Sequence, residues 1–184
     1  MRMFGSLKRR KQQRLRAEAL YDACVVQARS PEFYAGMGVP DTIDGRFELI
    51  ALHVGLLIRR LNREGETGKA VAQDVFDAMF RDFDSGLREM AIGDASIGKN
   101  IKAMASAFYG RVKAYDDALA EQDAAALGDA LKRNVFATGE GDGSPEALAA
   151  YIVAAQDALD RQDGDAVMFT QSPEFPPVAV SAGA

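Results

Sequence analysis

Acidic side chains are the first candidates for chemistry in this sequence, because Asp74, Asp77, Asp82, Asp84, Glu89 and Asp94 crowd one short stretch. Carboxylates spaced by three, seven or eight residues on a helix converge on one face and could hold Mg²⁺ through oxygen ligands, as in isoprenoid-processing helical enzymes. Those enzymes set a second aspartate-rich motif on a facing helix, and the helical stretch that follows offers none. A solvated face with Arg81 and Arg88 in local ion pairs accounts for the same residues, so no metal site is expected. His53 is the one histidine and lies in the apolar run Leu49-Ile-Ala-Leu-His-Val-Gly-Leu-Leu-Ile58. An imidazole there could ligate haem, but bis-histidine ligation is impossible within the chain, and a core histidine with satisfied ring nitrogens explains it equally. Ser-His-Asp or Cys-His catalysis would have to be built around that one ring, and no G-x-S-x-G turn accompanies it. The single cysteine, Cys24, rules out an internal disulfide and a cysteine-cluster metal site, and fits a reducing compartment. Catalysis is therefore not expected, and no cofactor is called for.

The elements that must position these groups are helical. The 184 residues are 48% hydrophobic and 27% charged, enough to fill and coat one core. Apolar residues recur at three- and four-residue steps, and glycines and prolines fall mostly between the periodic stretches. The spacing predicts helices over about 7–29, 44–63, 68–90, 94–121, 124–136 and 145–161. The series Ile97, Ile101, Met104, Phe108, Val112, Tyr115, Leu119 is the cleanest of these signals. The second helix is apolar on so much of its circumference that it should be central, with neighbours on several sides. Pro31 to Gly45 reads as an ordered connector with one short helical turn. Ser144 and Pro145 read as an N-cap and first helical position. Gly110, inside a strong helix, suggests close packing, with Gly55 as its partner. The expected architecture is all-α: a single compact domain of about six helices in orthogonal or bundle-like packing.

Charge divides the chain into unequal parts. Residues 1–16 hold Arg2, Lys8, Arg9, Arg10, Lys11, Arg14 and Arg16 and no acid; the other 15 basic and 27 acidic residues leave residues 17–184 at −12. The expected organisation is a basic arm over 1–16, a helical body over 17–167 and a flexible C-terminal tail over 168–184. Such an arm could contact anionic lipid headgroups or RNA. A secretory signal's apolar stretch and cleavage site are missing, and there is no apolar run of about 18 residues, so neither that export route nor a membrane span is expected.

Several short motifs then line up in order over about residues 15–137. They are Leu20-Tyr21, Gln27-Ala28-Arg29, Phe33-Tyr34, Gly38-Val39-Pro40-Asp41-Thr42, Asp44-Gly45-Arg46-Phe47-Glu48 and Leu52-His53. Next come Phe80-Arg81-Asp82-Phe83-Asp84, Leu87-Arg88-Glu89-Met90, Gly93-Asp94 and Phe108-Tyr109-Gly110-Arg111 with Tyr115. This series resembles the ubiquinol-cytochrome c chaperone family. Phe83 stands where the family often has Met, and Ala91 where Gly is common. The resemblance implies a non-enzymatic assembly factor for the cytochrome bc1 complex that holds newly made cytochrome b, with a small partner protein and the ribosomal tunnel exit as further partners. No mitochondrial transit sequence or long N-terminal extension is seen, which implies the short bacterial form. It would be cytoplasmic and peripheral at the inner face of the inner membrane, with no DNA partner. Client or partner contacts are expected at Asp41, Arg46, Asp82, Asp84, Arg88, Glu89, Tyr109 and Arg111, polar members of the series that packing explains least. Internal pairing of Arg46, Arg88 and Arg111 with Asp41, Asp84 and Glu89 is the competing expectation. Two other functions stay open: a helical isoprenoid- or quinone-handling protein using the acidic stretch, and a basic-arm RNA or membrane adaptor.

Overall fold

A computed structural model of the chain describes residues 2–89, 94–137 and 143–179, with side chains from residue 8 in the first segment and from 96 in the second. Among the described residues there are eight helices and no strand: α1 (Arg2–Ala28), α2 (Pro31–Ala35), α3 (Ile43–Asn62), α4 (Gly65–Glu89), α5 (Asp94–Glu121), α6 (Ala124–Asn134), α7 (Pro145–Asp160) and α8 (Gly164–Phe169). Six match the expected helices. The two extra ones, α2 and α8, are five and six residues long, too short for apolar periodicity to announce them.

Local chemistry sets the boundaries. Thr42 caps α3 by accepting from the Gly45 amide at 3.1 Å, and Asp123, Ser144 and Asp163 cap α6, α7 and α8 in the same way. Pro145 occupies the first turn of α7, as its sequence position predicts. The Gly65-to-Gly68 stretch, expected as a turn, lies inside α4; only Gly65, at φ +66°, makes the reversal out of α3. Gly45 must be small because a Cβ there would meet the Pro40 carbonyl.

α3 is the central element and packs against α1, α4, α5, α7 and α8. Leu49, Val54, Leu57 and Leu61 have no exposed surface. Truncating one of them, Leu57→Ala for example, costs about 3 kcal/mol through lost transfer energy and the cavity left behind. Consecutive helices from α3 to α7 are neighbours, and α1 lies across α3 and α4. The expected pairing of Gly55 with Gly110 does not occur. Gly55 faces Val112, while a Cβ on Gly110 would meet nothing.

Both ends of the chain depart from the sequence expectation. α1 begins at Arg2 and runs without a break into the core, where Ala17, Leu20, Tyr21, Cys24 and Ala28 are buried. Residues 8–15 are exposed, so the basic arm is the free first half of a helix. The C-terminal stretch, expected as a loosely held tail, makes specific contacts through residue 178. Arg16 donates to the carbonyls of Val167, Met168 and Gln171. Gln27 donates to Pro176 O at 3.1 Å, Gln162 exchanges two hydrogen bonds with the Glu174 backbone, and Phe175 and Val178 pack on the core.

Candidate functional site

The chemistry-bearing residues separate into those the fold consumes and those it leaves available. His53 is consumed. Its Nδ1 lies 2.7 Å from Leu49 O, which can only accept, so Nδ1 carries the hydrogen. Burial holds the ring neutral, with its pKa lowered to about 4, so Nε2, 2.8 Å from Tyr151 Oη, accepts from that hydroxyl. Tyr151 Oη in turn accepts from Gln27 Nε2 at 3.0 Å. The rings of Phe33, Tyr151 and Phe175 enclose the imidazole. Both nitrogens are occupied, which fits a core histidine and leaves none for haem. Cys24 is also sealed, and burial pushes its thiol pKa up.

The acidic stretch disperses. Asp82 accepts from Tyr21 Oη at 2.7 Å and joins α4 to α1. Asp77 accepts from Gln73, and Asp84 pairs with Arg88 one turn on. Among the described residues no group of three or more His, Cys, Asp or Glu side chains is placed to hold a metal ion; the Asp94 side chain lies outside the described residues.

Several open surfaces remain, and one combines apolar walls with a buried ion pair. An open groove of about 760 Å³ runs between the first turns of α3, the C-terminal half of α4, the N-terminal half of α5 and the end of α6. Its walls are mainly apolar, with Phe47, Phe83, Leu87 and Met104 prominent. On α5, Asn100, Met104, Ala107 and Arg111 line it at steps of four, three and four residues, which extends the trough over about 16 Å. At its α6 end Arg111 pairs with Glu48 of α3 at 2.5 Å, and the Arg111 guanidinium lies 5.8 Å from the Phe47 ring centre. Glu48 is 4% exposed. Burial pushes its carboxyl up to about 7 despite Arg111, whose charge and hydrogen bond pull it down. Glu48 Oε2 and Arg111 Nε are both buried without a hydrogen-bond partner.

The eight candidate contact residues are not brought together. Arg46 and Arg111 line the groove, and Asp41 pairs with Arg46 at its rim at 2.7 Å. Asp84 and Arg88 pair along the outside of α4, and Glu89 is exposed at its end. Tyr109 is 56% exposed and stacks on Phe76, with ring centres 5.2 Å apart. Arg46 and Arg88 take the expected acids, but as local exposed pairs that join no two helices; Arg111 does lock α5 to α3, through Glu48 rather than Glu89. Of the basic arm, Lys8, Arg9, Arg10, Lys11 and Arg14 are exposed, with Arg14 pairing to Glu18. Arg16 faces inward and holds backbone carbonyls, and the Arg2 side chain lies outside the described residues. Sequence reasoning passed over Glu48, Met104 and Arg133 as site residues. The signal for Glu48 was an acid within a helical run that is apolar on both sides; the other two had no signal beyond type.

A family model described as "Ubiquinol-cytochrome C chaperone" matches residues 35–175. Ubiquinol-cytochrome c reductase complex assembly factor 1 of Mus musculus is 28% identical over 166 residues, 90% of this chain and 56% of the mouse protein. The chain thus spans little more than half the mouse relative's length. The assembly factor of the same name from Xenopus laevis is 27% identical over 85% of this chain and 78% of its own. The crystal structure of the Cbp3 homolog from Brucella abortus superposes with a TM-score of 0.82 at 36% identity, covering 96% of this chain and 98% of that one. Among the described residues no helix is long and apolar enough to cross a membrane.

Proposed function

The chain belongs to the ubiquinol-cytochrome c chaperone family, and from that premise we propose that it acts without catalysis in assembly of the cytochrome bc1 complex by holding newly made cytochrome b. The observation that carries this reading is the open, mainly apolar groove, floored by an incompletely satisfied ion pair. It is a surface suited to being covered. An amphipathic client helix lays its apolar face in such a trough, and release follows when haem or subunit contacts compete for the same face, since a binder shifts an equilibrium only by its differential affinity.

The arm supplies placement. Lys8, Arg9, Arg10, Lys11 and Arg14 are exposed along one end of α1, and each basic residue near an anionic membrane contributes about 1 kcal/mol. That attraction holds the body peripherally at the cytoplasmic face of the inner membrane; ribosomal RNA at the tunnel exit offers the same phosphate chemistry. Asp41 and Arg46 extend the client surface at the groove rim, Asp84, Arg88 and Glu89 along α4, and Tyr109 on α5.

A cross-linked pull-down of the tagged full chain from its native membranes tests the reading. Mass spectrometry is expected to find cytochrome b without its mature complex partners, together with any small partner protein. Absence of cytochrome b from the captured material, with normal bc1 levels after deletion of the gene, overturns it.

A further inference from the structure

The groove is polarised along its length. Phe83, Leu87 and Met104 make the α4–α5 end apolar, and charge gathers where α3, α5 and α6 meet. There Arg111 pairs with Glu48, and Arg133 lines the same end of the groove. Arg133 is exposed on the last turn of α6 and has no ion-pair partner among the described residues. Arg111 spends one guanidinium nitrogen on Glu48 and keeps Nε unpartnered. A third arginine, Arg46, stands at the rim but is already paired with Asp41.

Reach decides which sign of charge this end accepts. The Glu48 side chain is 5% exposed, against 22% for Arg111, and Arg133 is open to solvent. Asp44, one turn before Glu48, is the exposed carboxylate of this wall, so an incoming segment meets two guanidinium groups against one open carboxylate. A basic segment would bring like charge against Arg111 and Arg133, which is unfavourable when the contact is desolvated. A wholly apolar segment would take solvent from the exposed Arg133 guanidinium without supplying an acceptor, also a penalty. An acidic side chain satisfies both requirements, and a guanidinium receives a carboxylate with two parallel hydrogen bonds.

We infer that the groove selects an apolar helical segment bearing an acidic side chain, which Arg111 and Arg133 receive. The inference rests on the client reading above and adds to it the chemistry of the client segment. Burial of Glu48 favours the exchange: its carboxyl titrates near 7 with Arg111, Asp44, Arg133 and Tyr115 around it, so the internal rival for Arg111 is only partly charged at neutral pH.

The test is photo-cross-linking in the native host. The full chain carries p-benzoylphenylalanine in place of Ala103, an exposed residue of the groove wall, or of Lys113, which is on α5 outside the groove. The inference expects the position-103 product to map to a protein segment with Asp or Glu within one helical turn of the linked residue. It also expects Arg133→Glu to cut that product about five-fold and Arg133→Lys to keep it, since reversal places like charges together. Arg133 is exposed, so both variants should retain the wild-type thermal transition, which circular dichroism checks. Cytochrome b captured through a segment without an acid, or a yield indifferent to Arg133→Glu, overturns the inference and leaves the client reading standing. A lipid, a second copy of the chain, or no product at position 103 overturns it as well; if cytochrome b is also missing from the pull-down, the client reading fails with it.

Discussion

Helix α3 buries Glu48 and His53 five residues apart and treats them in opposite ways. His53 has a partner on each nitrogen, three aromatic rings around it and the C-terminal segment closed over it. Glu48 has one oxygen on Arg111 and the other on nothing, under a trough open to solvent. An unpartnered buried polar atom costs about 1–3 kcal/mol, so a fold that completes one network and leaves its neighbour incomplete tolerates a penalty at the second place. The first region maintains the fold, and the second, under the proposed function, is where a client would add contacts.

Variants can break or sharpen this contrast. The largest effect is expected for His53→Ala, which opens a cavity and strands the Tyr151 hydroxyl; urea unfolding should show a loss of about 3 kcal/mol. A loss below about 1 kcal/mol would mean the closed network does little. Next, Arg111→Met leaves Glu48 buried without its cation and should lower stability by about 2 kcal/mol, whereas Glu48→Leu with Arg111→Met should return to within about 1 kcal/mol of wild type. The double variant should still lose groove cross-linking, separating folding from client contact. Arg16→Ala removes three carbonyl contacts and should cost about 1.5 kcal/mol, with limited proteolysis after residue 168 reporting release of the C-terminal segment.

Titration separates the two buried groups by sign. His53 has a folded pKa of about 4 against 6.5 unfolded, so the unfolded chain binds more protons between those values. Its contribution is present above pH 6.5 and is lost as pH falls toward 4. Because His53 is the one histidine, its NMR ring signals should show no protonation step between pH 5.5 and 8. Glu48 runs the other way: its folded pKa of about 7 exceeds the ordinary 4.5, so its contribution is present below 4.5 and is lost as pH rises to 7. The stability of Glu48→Gln relative to wild type should therefore climb across that interval. The smallest effect is expected for Arg88→Glu with Glu89→Lys, exposed changes that should move stability by about 0.5 kcal/mol or less. Reduced cytochrome b capture by that variant extends the client surface along α4, and unchanged capture confines it to the groove.

How much of this was legible depended on the range over which each feature is determined. The long helices were readable because burying one face imposes a three-to-four-residue apolar period, seen most clearly from Ile97 to Leu119 on α5. The cap at Ser144 was readable because it acts over three residues. The Arg16 ties join residues more than 150 positions apart, so nothing local marks Arg16 apart from the other arginines of the arm. The exchange of Glu89 for Glu48 as the partner of Arg111 has the same origin, since it follows from how α5 is set along α3. The candidate residues in the sequence series came from several surfaces, and only the packed helices show that Arg46 and Arg111 share the groove with Arg133.

The continuity of α1 has a mechanical consequence. Twenty-seven residues of helix measure about 40 Å, and no proline or loop interrupts them between the basic end and the core. Arg16 pins this rod where it leaves the body. A flexible tether would let the body tumble beneath whatever surface the arm grips, whereas a clamped rod transmits orientation. A surface that gripped the arm would thus set the bearing of the groove as well as its distance, and the mouth of the trough would face one way in every such encounter.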